Sequence, residues 1–328
     1  MKKFINDAQA VVVEMCRGLV KGFPDRLQLD ENNMTISRKE NNKDKVTLIS
    51  GGGSGHEPAH AGFVGAGMLT AAVCGDVFAS PSIMQVFNAI KNNPSDKGTL
   101  LIIKNYSGDV MNFESAAEMA KDIDIEVDTV CVNDDVSIEA VENRRGVAGT
   151  LFVHKIAGAL AEEGASLKAV KEVAEKVIKN VRSMGIALQS CTVPARGKPT
   201  FELEDDRIEV GVGIHGEAGI TKESFIPARE VVKKILDKVL QDIPISSGEG
   251  IAVMVNGFGG TPLQELLILN NEVSTFFDER EIEVSKTLVG NYMTSIDMAG
   301  ASITVLKLDD EMKRLLFAPC NTVAWKEF

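Results

Sequence analysis

The sequence has no cysteine pair, no long apolar segment and no cluster of basic residues, and each absence excludes a class of protein. Its five cysteines occur singly, without a C-x-x-C pattern, which argues against a disulfide framework and a cysteine-rich metal site. No apolar run approaches the length of a membrane-spanning helix, and Asp7 falls where a signal peptide would be apolar. We therefore expect a cytoplasmic protein that has no membrane partner.

The charge balance excludes nucleic acid as a partner. The net charge is −12, and no basic cluster is longer than a pair such as Arg144-Arg145, so the surface repels a phosphate backbone. One Trp and two Tyr leave few aromatic rings on which bases could stack. A small phosphorylated ligand stays compatible with this charge, because backbone amides bind phosphate groups locally.

Length and patterning predict an α/β protein with two domains. The 328 residues are 44% hydrophobic and 25% charged, as in ordinary globular proteins with a sizeable core. Short β-rich apolar runs alternate with longer helical patterns. The strand candidates include Val46–Ile49, Leu100–Ile103 and Val127–Val132, and the helical patterns include Leu167–Met184 and Ala228–Gln241. A stretch bearing Gly and Pro begins near Gly185, which predicts an N-terminal domain over residues 1–185 and a C-terminal domain over residues 186–328.

The stretch GGGSGHEPAH at residues 51–60 contains both a glycine run and an H-E-x-x-H pattern. A zinc site of that pattern needs a sustained helix, which Pro58 and the flanking glycines oppose, and neither His154 nor His215 stands at a ligand-like spacing. A Walker A loop would need a Lys-Ser or Lys-Thr after the glycines. A tight strand-to-helix turn remains one interpretation. The other is that the backbone N–H groups of the glycines form an oxygen-binding nest. In that case His56, which its glycine neighbours would leave poorly covered, would face a small ligand.

Two further stretches place polar side chains after apolar strands. In LLIIKNYSGDVMNFE, a strand delivers Lys104, and Asp109 precedes a helical pattern, where it could cap the helix or act as a general base. In EVGVGIHGEAG, His215 lies between Gly213 and Gly216, and this arrangement would let a ligand approach the imidazole closely.

Five motifs together resemble one family along essentially the whole chain. They are GGGSGHEPAHAGFVGAGM, IIKNYSGDVMNFE, RRGVAGT, GIHGEAG and VGNYMTSIDMAGASITVLKLDDE. In this order they are similar to the dihydroxyacetone-binding subunit K of dihydroxyacetone kinase. The resemblance implies two α/β domains with mixed β-sheets flanked by helices, and a homodimer.

The resemblance also implies a chemistry for the residues found above. His215 would add to the ketone carbon of dihydroxyacetone and form a covalent hemiaminal, which selects a ketone over glycerol. Asp109 would take the proton from the terminal hydroxyl as that oxygen attacks phosphorus, and His56 would hydrogen-bond the substrate and assist. The other substrate contacts that the resemblance implies are those of Gly53, Ser54 and Lys104.

The expected phosphoryl donor is a separate chain. The sequence has no recognisable nucleotide or magnesium site, so we expect no cofactor on this chain. By resemblance, a subunit L carries ADP or ATP with Mg²⁺, and a subunit M of the phosphotransferase system recharges it. No L domain follows Phe328, which favours the multi-subunit, phosphoenolpyruvate-dependent branch.

Two departures from the family pattern leave substrate and partner choice open. Ala218 stands in GEAG where the family has proline, and the segment Asp134–Arg144 is shorter than usual and lacks a tyrosine. Two alternative functions therefore remain. One is a dihydroxyacetone sensor that acts as coactivator of a transcription factor, and the other is a kinase subunit for another short ketose such as erythrulose.

Overall fold

The computed structural model describes residues 2–328, and eight α-helices fall within that range. In chain order they are α1 (Val11–Gly22), α2 (Ile83–Asn92), α3 (Ser107–Lys121), α4 (Thr150–Glu162), α5 (Leu167–Asn180), α6 (Ala228–Asp242), α7 (Leu263–Asp278) and α8 (Asp310–Phe317). None of these helices combines the length and the apolar character needed to cross a membrane.

The strands of the same residues form two six-stranded sheets and one small hairpin. They are β1 (Leu27–Asp30), β2 (Thr35–Arg38), β3 (Thr47–Ser54), β4 (Ala71–Val77), β5 (Thr99–Lys104), β6 (Val127–Val132), β7 (Val181–Gln189), β8 (Arg207–Val210), β9 (Thr221–Ser224), β10 (Gly250–Gly257), β11 (Glu283–Gly290), β12 (Ala299–Lys307), β13 (Cys320–Asn321) and β14 (Lys326–Glu327).

The chain divides into two compact units, each containing one of the large sheets. The first unit comprises residues 2–132, 150–178 and 314–328, and the second comprises residues 133–149 and 179–313. The predicted boundary between residues 185 and 186 differs from this division, because it falls inside β7. That strand pairs with β12 and β8 in the second sheet, so its residues belong to one unit throughout.

The first unit is built on a sheet of order β1-β2-β4-β3-β5-β6. Strands β4, β3, β5 and β6 are parallel, and the hairpin β1-β2 joins them antiparallel at β4. Helices α2 and α3 cover one face through a core that includes Ile49, Leu101 and Phe113. Side chains alternate along a strand, so Ser50 and Lys104 point to the opposite face, where α4 contacts β3 and β5.

The second unit is built on a sheet of order β11-β10-β12-β7-β8-β9. Only the β10–β11 pair is parallel, and the other neighbours run antiparallel. Helices α6 and α7 pack on it through an apolar core that includes Ile235, Val253 and Phe277. Both large sheets are therefore mixed and flanked by helices, which confirms the predicted α/β class.

One difference between the structure and the expected elements lies after α5. The helix predicted over Leu167–Met184 ends at Asn180, and β7 begins at the next residue. The pairing of Val181–Ile186 with β12 overrides the helical pattern, because a strand between two neighbours satisfies its backbone hydrogen bonds on both sides. None of the five cysteines, which all lie within residues 2–328, forms a disulfide, and Cys131 is the exposed one.

Candidate functional site

The glycine run lies inside β3. Gly51, Gly52 and Gly53 continue the parallel ladder with β4, whereas pairing with β5 stops at Ser50. A Cβ on Gly51 would lie 2.3 Å from the carbonyl oxygen of Val73, and one on Gly53 would lie 2.7 Å from a backbone nitrogen. Glycine is therefore required for the close approach of neighbouring backbone. The strand is longer than predicted, and it keeps an unpaired edge on the β5 side at the carboxyl end of the sheet.

Lys104 and Asp109 meet beside Gly52. Lys104 ends β5 and Asp109 lies in the first turn of α3, and both side chains are almost completely buried. The Nζ of Lys104 lies 3.4 Å from Oδ2 of Asp109. A Cβ on Gly52 would lie 2.8 Å from Nζ and 3.0 Å from Oδ2, and its φ of +139° favours glycine. The missing side chain at position 52 leaves the space that this ion pair occupies.

The carboxylate of Asp109 does not cap α3. The N-cap residue is Tyr106, which makes no side-chain capping bond, and Asp109 is the third residue of the helix. Its Oδ1 has no hydrogen-bond partner among residues 2–328 although it is buried. The capping interpretation is therefore wrong. A buried carboxylate oxygen of this kind can accept a hydrogen bond from a ligand hydroxyl, as a general base must.

His56 is more covered than its glycine-rich neighbourhood predicts. The side chain has no exposed area, and its ring stacks on Phe78 with 5.5 Å between ring centroids. Phe78, the residue after β4, adopts a φ of +59°. The expectation of a poorly covered histidine was therefore wrong, because an aromatic ring from the segment after β4 supplies the cover that the glycines lack.

Two neighbours of His56 make hydrogen bonds within the first unit. Ser54 donates its hydroxyl proton to the carbonyl oxygen of Gly75 at 2.7 Å. The carboxylate of Glu57 accepts from the backbone N–H of Gly55, and burial raises the pKa of this carboxyl. As long as the Ser54 hydroxyl donates its proton to the carbonyl oxygen of Gly75, it can contact a ligand only as a hydrogen-bond acceptor.

The H-E-x-x-H residues do not lie on a helix. The peptide after Glu57 turns, and only residues 61–63 form a short 3₁₀ helix. His60 instead lies beside His154 of α4, with 5.2 Å between the ring centroids. This contact is not visible in the sequence, because the two histidines are far apart in the chain and face each other only when α4 covers the sheet.

His215 lies in the second unit, in the loop of residues 211–220 that joins β8 to β9, and it is half-buried. Its backbone N–H donates to Oε2 of Glu217 at 2.7 Å, and Oε1 of Glu217 accepts from Arg145 at 3.1 Å. Arg145 also forms an ion pair with the buried Asp135 and donates to the carbonyl oxygen of Gly211 at 2.8 Å. The motifs RRGVAGT and GIHGEAG thus meet, and an arginine–glutamate clamp fixes the backbone that carries His215.

Two glycines of this loop have steric roles. A Cβ on Gly213 would lie 1.7 Å from the carboxylate of Glu217, so the clamp requires glycine there. Gly216 adopts a φ of +71°, and a Cβ on it would lie 2.6 Å from the sulfur of Cys191. Ala218, the departure from the family pattern, is exposed and lies outside these contacts. The clamp therefore does not depend on a proline at position 218.

The short segment Asp134–Arg144 is tied down at both ends within the second unit. Asp134 is fully buried and accepts hydrogen bonds from the backbone N–H groups of Val147 and Gly149, each at 2.8 Å. Arg144 binds Asp242 of α6 through both terminal nitrogens. Hydrogen bonds from Arg144, with those of a second arginine, lower the pKa of Asp242 to about 2. These contacts hold the segment although it is short.

The predicted site residues are thus distributed between the units. The structure brings together one group in the first unit, at the carboxyl ends of β3 and β5, which consists of Gly53, Ser54, His56, Lys104 and Asp109. His215 belongs to the second unit. Sequence reasoning assigned no role to Gly52, Arg145 and Glu217. A glycine within a strand and an acid two residues after a glycine-flanked histidine are the signals that could have pointed to them.

Comparison with known proteins identifies the family. The Dak1 domain family matches residues 17–324. The chain is 49% identical to the PTS-dependent dihydroxyacetone kinase 1, dihydroxyacetone-binding subunit DhaK, of Listeria innocua, over 99% of this chain and 100% of that protein.

Two solved structures are also similar. A dihydroxyacetone kinase operon co-activator, DhaQ, has a TM-score of 0.92 at 34% identity, over 96% of this chain and 98% of its own. The dihydroxyacetone kinase of C. freundii has a TM-score of 0.90 at 38% identity, over 99% of this chain and 60% of its own. These matches agree with the five motifs and extend over the described fold, and the chain therefore belongs to the Dak1 domain family, that of dihydroxyacetone kinase subunit K.

Proposed function

We propose that this chain is the dihydroxyacetone-binding subunit of a multi-subunit dihydroxyacetone kinase. The observation that carries the proposal is the buried Lys104–Asp109 pair at the carboxyl end of the first sheet. A carboxylate oxygen without a hydrogen-bond partner lies there beside a strand edge that is open on the β5 side. Ligands of parallel sheets bind at this end of the strands, and a hydroxyl on the substrate would satisfy the carboxylate.

His215 is the proposed nucleophile. A lone pair of its neutral imidazole attacks the ketone carbon and a C–N bond forms as the π bond of the carbonyl breaks. The carbonyl oxygen takes up a proton to become a hydroxyl, and the other ring nitrogen gives up its proton, so the ring of the adduct stays neutral. No group leaves, so the adduct is a reversible hemiaminal. The Glu217–Arg145 clamp supports this role, because a loop that is fixed through its backbone can hold an imidazole at one angle of attack.

Asp109 is the proposed general base of the transfer. Its carboxylate takes the proton of the terminal hydroxyl while that oxygen forms a bond to phosphorus, and the bond from phosphorus to the donor breaks. Lys104 holds the carboxylate and adds positive charge where the phosphoryl group arrives. His56 hydrogen-bonds the substrate, and Gly53 and Ser54 complete the contacts.

The donor is proposed to be a nucleotide, ADP or ATP with Mg²⁺, held by a partner L subunit. Among residues 2–328 no group of three acidic, histidine or cysteine side chains is placed to hold a metal ion. The phosphotransferase-system name of the Listeria relative favours a phosphoenolpyruvate relay through an M subunit over direct use of ATP. We further propose that the working form is a homodimer.

The proposal is tested by carbon-13 NMR with dihydroxyacetone labelled at its carbonyl carbon. Wild type is expected to give a bound signal in the region of tetrahedral carbons, and His215→Ala is expected to give only free ketone and its hydrate. Glu230→Gln, at an exposed position in the first turn of α6 in the same unit, serves as the matched control and should keep the signal. Wild type without a bound signal contradicts the assignment, and erythrulose labelled in the same way would be the next ligand.

Phosphoryl transfer separates the kinase from a sensor. With purified L subunit, wild type should phosphorylate the ketose, and Asp109→Asn should form the adduct but transfer nothing measurable. Similarity to the co-activator structure favours the alternative of a sensor. An adduct in wild type without transfer, from ATP or from the phosphoenolpyruvate relay, would identify a sensor instead of an enzyme.

A further inference from the structure

The segment of residues 78–82, which joins β4 to α2, contains a strained residue that the reaction proposed above does not use. Phe78, its first residue, has a φ of +59°, in the left-handed region that suits glycine. A bulky side chain is strained in that region, and such a conformation persists only where its surroundings fix it. Strain of this kind concentrates at active and ligand-binding sites, so the contacts of Phe78 show what the strain maintains.

The start of this segment lies directly on two glycines of the sheet. The backbone N–H of Phe78 donates to the carbonyl oxygen of Ser54 at 2.9 Å. A Cβ on Gly53 would lie 2.7 Å from the backbone nitrogen of Ala79, and one on Gly75 would lie 2.1 Å from the carbonyl oxygen of Ala79. The missing side chains of β3 and β4 therefore make room for the segment, and its backbone is fixed against the ends of both strands.

The other end of the segment contacts the first two turns of α3, the helix that carries Asp109. Nδ2 of Asn112 donates to the carbonyl oxygen of Pro81 at 2.8 Å. A Cβ on Gly108 would lie 2.7 Å from Oγ of Ser80, so the two chains approach closely there as well. The segment is thus held on two sides, by β3 with β4 and by α3.

The ring of Phe78 lies against a face of the His56 imidazole. The ring centroids are 5.5 Å apart, with an angle of 24° between the planes, which is a stacked arrangement. A flat group packed against an imidazole restricts rotation about the bond between Cβ and Cγ. The backbone next to His56 is held separately, because the carboxylate of Glu57 accepts from the N–H of Gly55. The direction of the imidazole therefore depends on Phe78.

We propose that Phe78 is a positioning residue that acts through His56. Its ring restricts the imidazole to the orientation in which a ring nitrogen meets the substrate, and the contacts of residues 78–82 keep the Phe78 ring in place. The strained φ of Phe78 is the cost of presenting an aromatic face at this point of the chain. The kinetic consequence of this inference rests on the proposed function, but the stack itself does not.

The first test is NMR of the full chain with carbon-13-labelled histidine. The chain has four histidines, and His56→Gln identifies the His56 signals by their disappearance. A proton over the face of an aromatic ring is shielded by the ring current, so we expect a His56 ring proton upfield of its position in urea-unfolded wild type. Phe78→Leu should remove this shift, and Phe78→Tyr should keep it. A His56 ring without an upfield shift in folded wild type would overturn the inference.

The second test separates positioning from packing at position 78. Phe78→Leu removes the flat face and Phe78→Tyr keeps it, and both retain a side chain at the same strained φ. Phe152→Leu is the matched control, because it removes a fully buried ring of the same unit from a different aromatic pair, that with Trp325. We expect Phe78→Leu to lower kcat of phosphoryl transfer by about 10- to 100-fold, as misplacement of a group by about 1 Å does. The hemiaminal signal should change little, and KM should change less than kcat.

Stability and rate should then follow different orders. Phe152 is fully buried and Phe78 only half-buried, so Phe152→Leu should lose more stability in urea unfolding and yet transfer at the wild-type rate. Phe78→Tyr should keep most of the wild-type kcat. Equal losses of kcat in the two Phe78 variants, or full activity in Phe78→Leu, would overturn the inference. Failure of the proposed function would look different, because wild type itself would then form no adduct while the shift of the His56 signals could still be measured.

Discussion

Gly52→Ala places a methyl group into the space that the Lys104–Asp109 pair occupies. The new carbon would lie 2.8 Å from Nζ of Lys104, whereas an unstrained contact needs about 3.5–4.0 Å. The ammonium, the carboxylate or both must therefore retreat by about 1 Å. Because an error of about 1 Å in a reacting group costs about 100-fold in rate, we expect phosphoryl transfer to fall by about that factor.

The same substitution also strains the backbone, so its effect on stability must be separated from its effect on transfer. A φ of +139° in a residue with a side chain costs about 1–3 kcal/mol. Gly164→Ala is the matched control in the first unit, because Gly164 has a φ of +84° and its nearest atom, Nζ of Lys97, would lie at an ordinary 3.6 Å. Both variants should lose stability in urea unfolding, and Gly52→Ala should lose more, because only its methyl group also displaces a buried ion pair.

Transfer rates should then distinguish the two variants. Gly164→Ala is expected to keep the wild-type rate with L subunit, and Gly52→Ala is expected to be slow while it still forms the hemiaminal. If Gly52→Ala transfers as fast as Gly164→Ala, the argument that an empty position 52 makes room for the ion pair is refuted. If both variants are equally slow, backbone strain and not the displaced ion pair is the cause.

Three further predictions concern the second unit and the exposed thiol. Glu217→Gln should weaken the hemiaminal signal by loosening the His215 loop, with little change in Tm, and an unchanged signal would contradict the clamp. The Asp242 carboxylate has a pKa lowered from 3.8 to about 2, so its contribution to stability is present above pH 3.8 and is lost as the pH falls to 2. The free energy of unfolding of wild type should therefore lose its advantage over Asp242→Asn across that window, and a difference independent of pH would refute this. Cys131 is exposed as a residue, but desolvation of its thiol and the charges of Glu114 and Asp109 raise its pKa to about 11. Iodoacetamide at pH 8 should therefore alkylate it about 100-fold more slowly than a free thiol, and alkylation at the rate of a free thiol would contradict this.

The sequence predicted correctly those helices and strands whose residue pattern is local. The prediction was wrong or missing where pairing with a distant segment determines the secondary structure. The strands at residues 99–104 and 127–132 and helix α6 lie where periodicity placed them. Strand β4 was missed because its small residues, AAVCGDV, carry no alternation, and its position depends on β3 and β2 as neighbours. The end of α5 was missed for the same reason, since only pairing with β12 makes the next residues a strand.

The same distinction applies to the candidate site. Motifs identified Lys104, Asp109 and His215, because strand ends and glycine-flanked histidines are visible in the sequence. The exclusion of Asp109 as a helix cap depends on where α3 begins, and the cover on His56 depends on Phe78, which arrives from another strand. The histidine pair of the first unit could not be predicted, because contact between residues 60 and 154 exists only once α4 lies on the sheet.

The division of the chain between the units has a consequence for its synthesis. The chain passes from one unit to the other four times, and the first unit still needs residues 314–328. In that terminal segment Asn321 bridges to Ala66, and the Trp325 ring meets Phe152 edge-on at 6.4 Å. The unit whose residues leave the ribosome first is therefore the last to have all its parts. A nascent chain stalled after residue 313 would hold every residue of the second unit, while the first unit still exposed the surfaces around Ala66 and Phe152 to solvent and to chaperones.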